Sequence, residues 1–149
     1  MSPTDGDIPQ VIDRLAAATN DHDVAAIAGC FAEDYVNRTP AHPARSFTGR
    51  EQVRRNWEQI LGAVPDISCV VTRHARRGDE VWTEWEHRGT RRDGAGHLMR
   101  GVIVFTVAGD EISAASFYLE PVDPDADPDT GGIDDAVRRH VGLDAGESR

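Results

Sequence analysis

The sequence predicts an α+β domain in which three N-terminal helices pack inside a long, strongly bent antiparallel sheet. Two observations predict this. Apolar residues recur at helical spacing in the first part of the chain, and four long strand-like runs follow, separated by Gly/Asp breaks short enough to force hairpins. A long antiparallel sheet twists and bends, so helices on its concave side leave a hollow at the open end.

The elements follow in order. Ile8, Val11, Ile12 and Leu15 form one face of a helix from about Ile8 to Thr19. Asn20-Asp21-His22-Asp23 breaks it and offers caps for a second helix, with Val24, Ile27 and Phe31 on one face. Tyr35 to Arg38 is a short strand stopped by Pro40, and Thr39 to Phe47 is a loop. Thr48-Gly49-Arg50-Glu51 has the form of a capping box and opens a third helix that runs to about Val64. Its inner stripe is Val53, Trp57, Ile60, Leu61 and Val64, and Pro65 ends it. The four strands are about Ile67–Arg77, Glu80–Arg92, His97–Ala108 and Glu111–Pro121. Gly78-Asp79, Asp93-Gly94-Ala95-Gly96 and Gly109-Asp110 supply the hairpin turns. Residues 1–121 form the domain, and residues 122–132 an acidic Pro/Asp-rich linker. A short helix and tail, 133–149, complete the chain, with Ile133, Val137 and Val141 on one side.

Charge narrows the function classes. The net charge is −10, carried by the ends: residues 1–34 hold seven acids and one Arg, and residues 121–149 hold eight acids and three Arg. The nearly neutral middle has no basic footprint for nucleic acid or an anionic membrane. The sixteen basic residues are all Arg, which excludes a lysine Schiff base. No apolar stretch is long enough to span a membrane, and the acidic N-terminus does not resemble a signal peptide, so a cytoplasmic location is expected. Cys30 and Cys69 are expected as buried thiols. The His and Cys spacings suit no zinc site. Asp123, Asp125, Asp127 and Asp129 alternate like a calcium loop, but Pro128 stands where that loop needs glycine. No metal and no cofactor is expected.

Phe31-Ala32-Glu33-Asp34 before a strand, a Pro-containing loop, and Thr48-Gly49-Arg50 opening a helix resemble the nuclear transport factor 2-like superfamily, most of all its SnoaL-like branch. Trp85 through Gly89-Thr90, Gly101 through Phe105, and Gly109-Asp110-Glu111-Ile112 extend the resemblance to about residues 8–122. It implies a cone-shaped barrel, the cystatin-like roll, a fold that hosts isomerases, cyclases, epoxide hydrolases, dehydratases and binding domains. The acids of those enzymes do not carry over. The aspartate of the polyketide cyclases falls at Ile103, and the base of the ketosteroid isomerases at Thr39. The Asp-Arg-Asp set of limonene epoxide hydrolases falls at Trp85, His87 and Phe117. Tyr35 and Asn37 do resemble the tyrosine and asparagine that hold water in those hydrolases.

Side chains alternate across a strand, so Thr83, Trp85, His87, Gly89 and Arg91 share a face, which the resemblance turns inward. A one-residue slip would bring Glu84 and Glu86 inside instead. His87 is the candidate acid/base, since an imidazole in a partly dry pocket titrates near neutral pH; the plain alternative is a histidine hydrogen-bonded on the sheet. Tyr35 and Asn37, two apart on one strand, can hold a water or a carbonyl oxygen, or simply close the loop before Pro40. Trp57, Trp85, Met99, Ile103, Phe117 and Leu119 are the expected apolar walls, unless they fill the core outright. Arg91 is a candidate for an anionic end of the ligand, against a solvated hairpin arginine. His42 lies in a loop that is either a lid or solvated.

Two functions fit. One is a cofactor-free isomerase, cyclase or hydrolase that moves protons on a small apolar molecule through His87, Tyr35 and Asn37. The other is a binding domain without catalysis. The outer sheet face, with Trp82, Val102, Val104 and Tyr118, is the expected homodimer surface in either case.

Overall fold

The structure, a computed structural model, describes residues 6–123 and 132–143. Helix α1 spans Gln10–Asn20 and buries Val11, Ile12 and Leu15. It starts later than the apolar spacing predicts, because Pro9 takes the cap position with extended backbone (φ −64°, ψ 146°). Ile8 stays outside the helix and packs against the core from there.

Helix α2 covers only Val24–Ala28. The Asp23 carboxylate accepts the Ala26 N–H at 3.0 Å and caps it, and Gly29 ends it. Phe31, expected on this helix, instead opens strand β1, Phe31–Arg38. The correction changes its element and not its burial: its ring meets Tyr35 edge to face at 4.7 Å.

A 3₁₀ turn at Pro43–Arg45 and a two-residue strand β2, Phe47–Thr48, precede helix α3, Arg50–Ala63. The expected capping box does not form. Thr48 is committed to the β1–β2 ladder opposite Val36, and Gly49 (φ +98°) takes the cap position in its place. Glu51 turns along the helix to Arg54, 2.7 Å away.

Strands β3 (Ser68–Arg77), β4 (Glu80–Thr90), β5 (Gly96–Ala108) and β6 (Glu111–Pro121) form the expected antiparallel meander. The fold is α+β, and the curled sheet has the order β2-β1-β6-β5-β4-β3. It does not close on itself, since β2 and β3 lie at opposite edges. The sheet is also mixed: β1 pairs with β6 in parallel, Asn37 opposite Ala115 and Arg38 opposite Ser116. The end of α1 clamps the β3 edge. The Asn20 side chain accepts the Cys69 N–H at 2.7 Å and donates to the Cys69 carbonyl at 3.1 Å.

Gly101 sits in β5 between Trp85 of β4 and Leu119 of β6. A Cβ there would lie 2.1 Å from the Tyr118 carbonyl oxygen, so only glycine lets the two strands approach this closely. Gly89 plays a similar part at the far end of β4, where a Cβ would lie 2.3 Å from Val64 Cγ1.

Cys30 and Cys69 are free and buried. Helix α4, Gly132–His140, forms where a C-terminal helix was expected. Its apolar side chains are in solvent, Ile133 at 75% exposure. Most of the 122–132 linker, including Asp125, Asp127 and Asp129, and the tail after Leu143 lie outside the described residues. No described helix is long and apolar enough to cross a membrane.

Candidate functional site

The sheet register decides which side chains face the helices. Thr83, Trp85 and His87 are buried on the concave face, while Trp82 is half exposed on the other. Glu84 and Glu86 lie outside with their counter-ions: Glu84 binds Arg73 at 2.9 Å, and Glu86 binds Arg88 and Arg100, each at 2.8 Å. Strand alternation and the outward ion pairs therefore fix the register that places the imidazole inside.

The concave face and helices α1 and α3 enclose a cavity of about 310 Å³. That is within the size range of small-molecule sites. Tyr35, Asn37 and His87 all line it. So do the expected walls Trp57, Trp85, Met99, Ile103, Phe117 and Leu119. Arg91 does not line it: this arginine lies exposed in the β4–β5 turn, where its N–H bonds to the Ala95 carbonyl at 2.8 Å. No described residue of α4 reaches the cavity wall.

One wall is polar. The Tyr35 hydroxyl donates to Asn37 Oδ1 at 2.7 Å, and Asn37 Nδ2 donates to Thr39 Oγ1 at 3.4 Å. All three residues are buried, and they recur at every second position of β1 and its extension, so they share the concave face. Burial raises the Tyr35 phenol well above its ordinary range, which keeps it protonated.

His87 contributes the other polar group. Its ring stands edge-on to Trp85 at 5.7 Å and 6.3 Å from Trp57. Among the described residues none hydrogen-bonds this ring. No fully enclosed side-chain nitrogen or oxygen among the described residues lacks a partner, so the ring nitrogens of His87 are not fully enclosed, and the residue lines the cavity. Burial, with a smaller push from His97, lowers the His87 imidazole to about 4. The sequence suggested titration near neutral pH. The apolar surroundings shift it, and His87 is a neutral imidazole at pH 7.

Sequence reasoning missed Thr39, His97, Arg45 and Asn56 as wall residues. Thr39 was recoverable from its period-two spacing to Tyr35 and Asn37. The other three come from elements whose docking no local pattern announces. His97 is held below its ordinary value by burial and by the Arg91 charge. Arg45 and His42 belong to the loop between β1 and β2, and both reach Glu120 on β6, at 4.0 Å and 3.2 Å. The loop is thus tied to the sheet beside the cavity. Burial pushes the Cys69 thiol up to about 11 and raises Cys30 as well, so both are unreactive. Among the described residues no group of three His, Cys, Asp or Glu is placed to hold a metal ion.

The architecture is shared with solved structures. A hypothetical protein from Catenulispora acidiphila, with a ketosteroid isomerase-like fold and bound trimethylamine, is 22% identical. It covers 75% of this chain and 87% of its own, with a TM-score of 0.66. An LEH-like epoxide hydrolase from M. tuberculosis is 15% identical over 74% of this chain and 80% of its own, with a TM-score of 0.64. An NTF2-like protein of unknown function from Burkholderia pseudomallei is 12% identical over 74% and 88%, also at 0.64. No curated protein matches the chain by sequence. The family profile described as the SnoaL-like domain matches residues 12–115, so with its curled sheet, three inner helices and hollow cone the chain belongs to the SnoaL-like family.

Proposed function

We propose that the protein is a cofactor-free acid/base enzyme that moves a proton on a small, mostly apolar molecule, in the manner of an isomerase, cyclase or hydrolase. The observation that carries this is a neutral His87, without a hydrogen-bond partner among the described residues, in the same cavity as the Tyr35–Asn37 pair. A neutral imidazole with a free nitrogen accepts a proton from carbon or from water. Asn37 Nδ2 keeps a second hydrogen for a substrate oxygen, and the walls around it are largely apolar and aromatic. The experiment is exchange in heavy water: a panel of small cyclic ketones and enones is incubated with the protein, and deuterium gain beside the carbonyl is read by NMR. Wild type is expected to catalyse exchange and His87→Ala to lose it. Undiminished exchange in that variant would remove His87 from the role.

One observation favours a second function. No described residue lining the cavity is an Asp or Glu, so His87 has no carboxylate to raise its basicity. A binding domain that releases its ligand unchanged fits that wall. Ketone binding with no exchange in wild type would decide for it.

The convex face supports self-association. Trp82 and Tyr118 are 50% and 46% exposed. Trp82 pairs with Val104 and Tyr118 with Val102, which makes one apolar patch across three strands. A dimer at micromolar concentration by light scattering, lost on Trp82→Glu, is the expected result.

A further inference from the structure

We propose that Thr39 presents a hydrogen-bond donor to the ligand beside Asn37, and that the ligand is an uncharged, oxygen-bearing molecule. The inference rests on the cavity being a small-molecule site and names what that site selects.

The direction of the hydrogen bonds along β1 is the first ground. The Tyr35-to-Asn37 contact is 2.7 Å, the ordinary length of an O–H···O bond and short for N–H···O. It therefore joins the phenol to the amide oxygen. Tyr35 has one hydrogen and gives it to Asn37. Asn37 then donates Nδ2–H to Thr39 Oγ1. Thr39 accepts through oxygen, so its own hydroxyl hydrogen is left for another partner. No described protein acceptor takes it. Tyr35, which resembles a water-holding tyrosine of the epoxide hydrolases, spends its hydrogen on Asn37 and can offer a ligand only a lone pair.

The second ground is how firmly Thr39 is held. Its N–H donates to Ser46 Oγ at 3.1 Å, and its carbonyl accepts the His42 N–H at 2.9 Å. Pro40 follows directly. Thr39 is 8% exposed and lines the cavity from a fixed backbone.

Charge is the third ground. The described cavity wall has no carboxylate, its one arginine, Arg45, reaches toward Glu120, and burial keeps its histidines neutral. A buried ammonium would have no counter-ion, which is costly. The site thus differs in kind from one built for an amine.

Three probes of one cage test this: 2-adamantanone, 1-adamantylammonium and 1-adamantanecarboxylate, each titrated against quenching of Trp57 and Trp85 fluorescence. The ketone is expected to bind wild type at least tenfold more tightly than either ion. Thr39→Val is expected to weaken ketone binding about tenfold, the scale of one hydrogen bond. Thr39→Ser, which keeps the hydroxyl, should bind the ketone as wild type does. An ammonium that binds as well as the ketone overturns the charge argument without any variant. Ketone binding that ignores Thr39→Val, or that Thr39→Ser loses as fully as Thr39→Val does, overturns the donor assignment. If none of the probes binds wild type, the small-molecule site itself fails, and this inference with it.

Discussion

Trp85 donates its indole N–H to the Thr83 hydroxyl at 2.6 Å, and that hydroxyl donates in turn to the Ile103 carbonyl at 2.7 Å. Two neighbours on one face of β4 are thereby tied to β5. The short chain fixes the plane of the ring against which His87 stands.

Thr83→Val keeps the shape and removes the hydroxyl. The buried indole N–H then loses its acceptor, so a loss of about 1–3 kcal/mol is expected. Urea unfolding followed by Trp fluorescence checks this. An unchanged midpoint would mean that the indole finds another partner.

The His87 imidazole sets an acid limit on stability. It protonates near 4 in the folded protein against an ordinary 6.5, so between those values the unfolded chain binds the extra proton. Stability is complete above about pH 6.5 and declines as pH falls toward 4, by about 3 kcal/mol at most. Denaturation at pH 7, 5.5 and 4.5 should show the decline, and His87→Gln should reduce it. In the NMR spectrum this ring should remain neutral at pH 5.5. The acid limb of kcat/KM should lie near 4, well below that of an exposed histidine.

Gly101→Ala should be among the most damaging single changes. The added methyl meets the backbone of Tyr118 and Leu119, at 2.1 Å and 2.7 Å, and backbone cannot swing aside. A loss above about 3 kcal/mol is expected. Gly89→Ala should cost less, since its nearest obstacle is the Val64 side chain. Melting temperatures of the two variants, compared directly, test the order.

Glu120→Gln cuts the tie from β6 to His42 and Arg45. These partners are partly exposed, so global stability should move by less than about 1 kcal/mol. Local opening should increase, seen as faster hydrogen exchange at the Arg45 and Ser46 amides and faster release of bound ketone. Unchanged exchange would mean that the 3₁₀ turn holds the loop by itself.

Local chemistry made much of this fold legible. The hairpins at Gly78, Gly94 and Gly109 need only tight turns between alternating runs, and the inward face of β4 follows from its alternating charges. That Tyr35, Asn37 and His87 share a cavity also follows from strand parity together with the resemblance. What escaped is non-local. Nothing near Phe31 announces that it will join a ladder beside Ile112, and the Thr48 capping signal loses to a pairing with Val36. The charge state of His87 depends on rings from three separate elements, which no window of sequence contains. Arg91 shows the opposite error: period-two spacing was extended past Thr90, where β4 ends and the turn begins.

The parallel contact between β1 and β6 has a kinetic consequence. The two strands are separated by most of the domain, so joining them closes a very long loop, the slow kind of contact in folding. The meander can zip hairpin by hairpin, but the wall bearing Tyr35 and Asn37 has its place in the sheet only after the final strand leaves the ribosome. Until then the aromatic lining stands open to other chains, and a ligand that fits it would act as a late folding partner as well as a cargo.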